Sequence, residues 1–211
     1  MKTALVVGAS GLIGNLLTIK LLENKLYFNI KILVRKKLDL SHPNLEQIIV
    51  DFDNLDTAKI VADDVFCCLG TTMKIAGSKA AFYKVDFTFP LAIAKAALKN
   101  GAKQYLIVTA MGADRQSRIY YNQVKGETEK ALSDLHYPTL LIFRPSMLSG
   151  NRIESRLGER IGSAFMRFFD PLIPAKYKII EGSKVAQAML SLAQKDLKNE
   201  HILESDSLQK F

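Results

Sequence analysis

The chain has 211 residues, 48% of them hydrophobic, and a formal net charge of +8 from 29 Lys and Arg against 21 Asp and Glu. This suits one domain with a sizeable core and excludes a disordered chain, a repeat array and a spanning helix: no polar low-complexity tract, internal period or long apolar run appears. The basic residues are dispersed, without an aromatic-rich RNA motif or a Cys/His finger, so the charge suits an anionic cofactor or substrate better than a specific nucleic acid.

In chain order, Leu5–Val7 begins a first strand and Leu12–Leu22 reads as a helix. Lys2 and the apolar run after it superficially suggest a secretory signal. The run breaks at Gly8 and no small-residue cleavage site follows, so the reading is rejected and a cytoplasmic protein is expected. Between strand and helix stand Gly8, Gly11 and Gly14. A strand turning over glycines into a helix makes a pocket for a pyrophosphate, since the helix N-terminus presents unpaired N–H groups and partial positive charge. Gly8 allows the tight turn, Gly11 lets backbone approach phosphate, and Gly14 lets helix and strand pack closely. The competing reading is a glycine-rich turn without a ligand.

Ile30–Val34 is a second strand, ending in Arg35-Lys36-Lys37. A carboxylate there would hold the ribose 2′-hydroxyl of NAD. Arg35 and Lys36 instead suit a 2′-phosphate, which favours NADP(H) over NAD(H); a solvated basic loop is the alternative. Gln47–Val50 is a third strand, and Asp51-Phe52 beyond it sits at the expected adenine edge, unless Asp51 only caps a turn. Leu55–Val61 reads as a short helix, and Val65–Leu69 as a fourth strand ending at Gly70. Cys67 and Cys68 in that strand read as small buried residues. Ser78–Lys99 is a long helical stretch kinked or restarted at Pro90, with Asn100-Gly101 as its stop.

Tyr105–Val108 is a fifth strand, Tyr120–Leu135 a helix and Leu140–Phe143 a sixth strand. Beyond Arg144-Pro145 the alternation loosens. Pro171, Pro174 and Gly182 punctuate a capping region, Lys184–Leu192 reads as helix and His201–Leu203 as a short strand. Near-continuously apolar strands alternating with helices predict an α/β, Rossmann-type doubly wound parallel sheet. On the helix after the fifth strand, Tyr121 and Lys125 share one face. A free tyrosine, with a pKa of about 10, is a poor proton donor near neutrality, and a nearby ammonium favours its phenolate. Tyr121 can then protonate a carbonyl oxygen as hydride arrives, or do the reverse. Tyr120 is a competing aromatic with a poorer facial match to Lys125.

With Gly8–Gly14, the basic end of the second strand and Tyr121/Lys125 in place, the chain resembles atypical or extended short-chain dehydrogenases/reductases. Further segments resemble the Tat-interacting-protein-like branch: Val50-Asp51-Phe52, Phe66–Thr72, Val85-Asp86, Gln123–Glu127, Phe143-Arg144-Pro145 and Arg152–Arg156. The resemblance covers roughly residues 3–190 and implies a single NAD(P)-binding domain over 1–211, with about 145–211 as a substrate-side elaboration. It implies cofactor contacts at Ser10, Gly11, Leu12, Ile13, Arg35, Lys36, Leu69 and Gly70, and catalytic roles for Tyr121 and Lys125. It also implies Arg144-Pro145-Ser146 near the nicotinamide, and Arg152 or Arg156 near the phosphates or the substrate mouth; surface pairing with Glu154 or Glu159 is the alternative for those two.

Many relatives end the fifth strand with a serine pair, one member of which holds the substrate carbonyl. Here Thr109-Ala110-Met111 leaves only Thr109 to supply a hydroxyl. The expected function is an NADPH-dependent oxidoreductase on a small carbonyl or alcohol. The rival is an NADP(H)-binding regulator with little turnover, working through a protein partner or a second copy. A nucleotide-sugar epimerase fits less well, given the short C-terminal portion. Scattered His42, His136 and His201 offer no metal cluster, and neither a P-loop nor a G-x-S-x-G elbow is present.

Overall fold

The apolar runs form strands buried on both faces, and their side chains divide strictly by alternation. Ala4, Val6, Phe66, Leu106, Val108, Leu141 and Phe143 enter one core, whereas Leu5, Val7, Val65, Cys67, Tyr105, Ile107, Leu140 and Ile142 enter the other. A period of two with apolar residues at every position is what a sheet covered on both faces requires. The computed structural model describes residues 1–149 and 174–211.

The strands in chain order are β1 (Lys2–Val7), β2 (Tyr27–Val34), β3 (Leu45–Ile49), β4 (Asp64–Cys67), β5 (Gln104–Val108), β6 (Thr139–Arg144), β7 (Leu148–Ser149), β8 (Ile180–Glu181) and β9 (Asn199–Glu204). One seven-stranded sheet has the order β3-β2-β1-β4-β5-β6-β9, every neighbouring pair parallel. The chain direction across the sheet reverses between β1 and β4, which opens a crevice at their C-terminal ends. Helix α1 (Leu12–Leu22) covers one face, and α4 (Phe89–Lys99) and α5 (Tyr120–Ser133) cover the other. The Rossmann-type doubly wound sheet expected from the alternation is present.

Three stretches differ from the sequence expectation. The helix expected over Leu55–Val61 is only a 3-10 turn, Thr57–Lys59. Asp56 caps its start, and the Asn100 side-chain amide donates to the carbonyls of Thr57 and Ile60, at 2.7 and 2.9 Å, which ties the turn to the end of α4. The long helix over Ser78–Lys99 is divided into α3 (Lys79–Tyr83), a π turn (Lys84–Thr88) and α4. Pro90 falls in the first turn of α4, and the irregularity lies before it. Having no N–H, Pro90 cannot donate to the Asp86 carbonyl four residues back; the Thr128 hydroxyl of α5 lies 2.9 Å from that oxygen and shares its proton between it and the Val124 carbonyl at 2.8 Å.

The C-terminal portion also does more than cap. The helix Gly182–Ala193 lies on the same face as α1, and β9 joins the main sheet as an edge strand beside β6. Among the described residues of the expected elaboration, β7, β8 and the first turn of that helix border the crevice.

Candidate functional site

At the crevice, Gly8 adopts φ +85°, and a Cβ there would lie 2.6 Å from the Cys68 carbonyl oxygen. A Cβ on Gly14 would lie 2.2 Å from the Gly8 carbonyl oxygen. No side chain fits at either position, so the glycines bring the start of α1 directly against the β1 turn. Gly11 caps α1 in an extended conformation without a side-chain cap, and its own N–H is used on Gly8 O at 2.9 Å. The N–H groups of the following turn are left facing a cleft of about 920 Å³.

Ser10, Gly11, Leu12 and Ile13 line one end of this cleft; Leu69 and Gly70, beyond β4, line its floor. Thr109, Tyr121 and Lys125 line the other end. The glycine cradle, which a Cβ would fill, and a cleft running from it to a Tyr/Lys pair fit a nicotinamide dinucleotide laid across the ends of the strands.

Tyr121 is half-buried, its ring 5.5 Å from that of Phe82, and among the described residues its hydroxyl has no hydrogen-bond partner. Tyr120 turns away and donates to the Lys79 carbonyl at 3.1 Å, which removes it as a competitor for the cleft. Lys125 Nζ lies 2.8 Å from Asp86 Oδ1, with side-chain exposures of 5% and 0%. Burial pushes the lysine's pKa down, but the Asp86 carboxylate and, next, the Tyr121 oxygen outweigh it, and the ammonium is held above its ordinary range. Burial also pushes up both cysteine thiols, so neither is a thiolate near neutrality.

Other expected residues stand elsewhere. Gly8 and Gly14 shape the turn from beneath. Arg35 and Lys36 are exposed at the end of β2, with no ion-pair partner among the described residues. Asp51 closes a turn, accepting from the Asp53 N–H at 2.9 Å and the Asn54 amide at 2.8 Å; the first of these bonds chiefly lowers its pKa. Phe52 packs on Phe89 with ring centres 5.3 Å apart. Of the two readings given for Asp51, the turn is the one its hydrogen bonds show, and Phe52 makes a core contact.

Arg144 and Pro145 are likewise not on the cleft. The Arg144 guanidinium bonds Glu129 and, at 3.1 Å, Glu204, while the Pro145 carbonyl accepts from Met111 N–H at 2.9 Å. The carboxylates around Arg144 compete for it because the ends of β5, β6 and β9 meet there. Thr109 is drawn into the same cluster: it lines the cleft, but its hydroxyl donates to Glu129 at 2.6 Å. Its proton is thus committed away from a substrate carbonyl. Arg152 and Arg156, with Glu154, Glu159 and Pro171, lie outside the described residues.

Asp86, noted in the sequence only within the Val85-Asp86 segment, is the site residue to which motif reading gave no role. Its signal was present, for it is the single acidic residue between Ser78 and Lys99 in an otherwise apolar and basic stretch. Glu181 and Ser183, also on the cleft, carried no such signal.

Against known proteins, residues 8–158 match the family model described as NAD(P)H-binding. Protein HTATIP2 of Rattus norvegicus is 36% identical over 170 residues, covering 78% of this chain and 70% of that protein. The mitochondrial protein FMP52 of Eremothecium gossypii is 32% identical over 211 residues, covering 96% and 93%. Among solved structures, MoeE5 in complex with UDP-glucuronic acid and NAD superposes with a TM-score of 0.73 at 15% identity, covering 95% of this chain and 75% of that one. UDP-glucose 4-epimerase from Thermotoga maritima reaches 0.72 at 18% identity, covering 97% and 77%. At such identities these two show the fold alone. The FMP52 relatives, that of Candida albicans included, are named mitochondrial, which overturns the expectation of a cytoplasmic protein.

Proposed function

We propose, from the premise that this chain belongs to the NAD(P)H-binding family in its atypical short-chain dehydrogenase/reductase branch, that it is an NADPH-dependent oxidoreductase acting on a small carbonyl or alcohol. One observation carries the reading: Tyr121 and Lys125 line the same cleft as the open N-terminus of α1. The nicotinamide, when bound, supplies or accepts the hydride. The first turn of α1 holds the pyrophosphate on its N–H groups, and the exposed Arg35 and Lys36 reach for a 2′-phosphate. Tyr121 gives its proton to the carbonyl oxygen in reduction and takes it back in oxidation. The Lys125 ammonium stabilises the phenolate left behind.

The purified protein should oxidise NADPH with some member of a carbonyl panel. Tyr121→Phe should lower the rate by about 10²- to 10⁴-fold while leaving nucleotide affinity unchanged; a rate surviving that change removes Tyr121 from the reaction. Arg35→Glu should weaken NADPH binding and leave NADH binding alone.

A second reading is favoured by Thr109, whose hydroxyl is bonded to Glu129, beside Ala110, which has none. A nucleotide-binding regulator needs no carbonyl-polarising hydroxyl there. NADPH binding without reduction across the panel, with a protein partner captured only in the loaded state, would select it.

A further inference from the structure

We infer that Asp86 is a positioning residue for Lys125: its carboxylate, fixed on the π turn, keeps the lysine ammonium charged and held against the wall of the cleft that carries Tyr121. The inference rests on the reading of Tyr121 and Lys125 as the reacting pair. An ammonium only 5% exposed loses most of its hydration, and an isolated one sheds its proton rather than bear that cost. A fully buried carboxylate 2.8 Å away reverses the balance, in agreement with the raised pKa of Lys125. The titratable groups acting on the lysine are Asp86 on the π turn, Tyr121 one helical turn back on α5, and Cys67 at the end of β4.

Three elements immobilise the carboxylate. Its Oδ2 accepts the Thr71 N–H at 2.9 Å, from the loop after β4. Its backbone carbonyl, to which Pro90 cannot donate, lies 2.9 Å from the Thr128 hydroxyl one turn beyond Lys125 on α5, a hydroxyl it shares with the Val124 carbonyl at 2.8 Å. The π turn adds the residue that swings Asp86 inward between those two anchors. Oδ1 lies 2.8 Å from Nζ and takes at most one of the three N–H donors of the ammonium, which keeps donors to offer elsewhere. Gly70 leaves room beside the pair: even a Cβ there would be 3.6 Å from Oδ1 and 3.7 Å from Nζ. Asp86 thus holds the lysine at the wall of the cleft, which both residues line.

The test is a side-chain ¹⁵N NMR titration of lysine ammonium groups in the full, nucleotide-free chain, with Lys125 assigned by the signal lost in Lys125→Met. In the wild type the Lys125 signal should persist past the ordinary lysine value of about 10.4. In Asp86→Asn it should titrate below that value, and Asp86→Glu should move it back up. In NADPH-dependent reduction, Asp86→Asn should lose at least tenfold in rate between pH 6 and pH 9, where the wild type does not. Wild-type titration of Lys125 below the ordinary range, or an unmoved titration in Asp86→Asn, overturns the inference. The wild-type arm decides even if the Asn variant does not fold. Absence of turnover in the wild type would sink the oxidoreductase reading, and the titration would still judge Asp86.

Discussion

The molecule buries two aspartates against lysines, at opposite ends of its sheet, and the pairs are built differently. At the N-terminal end of the strands, Asp64 accepts from the Tyr27 hydroxyl at 2.6 Å and from Lys2 at 2.9 Å, and Lys2 is 34% exposed. At the C-terminal end, Asp86 faces Lys125, which is shut off from solvent except along the cleft. The Asp64 pair fastens β1, β2 and β4 together, and its lysine keeps its water. The Asp86 pair gives up that water, and in return places a charge where a ligand would lie. A buried ion pair is weak evidence for stability by itself; what distinguishes these two is whether the cation opens onto bulk solvent or onto a cavity.

Unequal dependence on the partner is the sharpest way to break this contrast. Lys125→Met leaves Asp86 buried with only the Thr71 N–H and should cost about 3–5 kcal/mol, read by urea denaturation. Tyr27→Phe removes the phenol donor from Asp64 and should cost about 1–3 kcal/mol, with NADPH affinity unchanged. Lys2→Met should cost no more than about 1 kcal/mol, because its half-exposed ammonium interacts through water and Asp64 keeps Tyr27. Equal losses at Lys2 and Lys125 would show that the two pairs do the same work.

The pH dependence sharpens the contrast further. Burial, chiefly, raises the Asp64 carboxyl above its ordinary range, against the bonds from Tyr27 and Lys2. The folded state therefore holds that proton more tightly than the unfolded chain. The resulting stability is complete below the ordinary aspartate value of about 3.9 and is lost as pH rises through the raised one. Lys125, also raised, contributes stability that persists through neutrality and is lost only as pH climbs past the ordinary lysine value and through its own. Denaturation curves collected from pH 3 to pH 11 should show both limbs, the first flattened in Asp64→Asn and the second reduced in Lys125→Met, the remainder coming from the buried Tyr27, Tyr105 and Tyr137 hydroxyls, whose pKa burial also raises.

Much of the fold was legible because its causes are local. The apolar runs gave six of the seven main strands, the glycine spacing gave the β1–α1 turn, and α1 was read as Leu12–Leu22, the bounds it has in the structure. The seventh, β9, was legible only in part: His201–Leu203 reads as a short strand, but an exposed edge strand needs little apolar content, and its full extent, Asn199–Glu204, is set by pairing with β6. Within the site, Tyr121, Lys125 and the glycines announced themselves by spacing. The side-chain partners of Asp51, Arg144 and Thr109 were not legible, because nearness to a strand end does not say which way a side chain turns.

The sequence by itself determined the layering of the sheet, the backbone cradle at Gly8–Gly14 and the shared helical face of Tyr121 and Lys125, since each follows from short-range sterics and periodicity. Only the tertiary structure decided that Asp86 pairs with Lys125, that Glu129 claims the Thr109 hydroxyl, and that Arg144 is spent on carboxylates away from the cleft. Those are contests among charges and donors brought together from distant segments. Burial settles them by requiring each group to find its partner inside the fold.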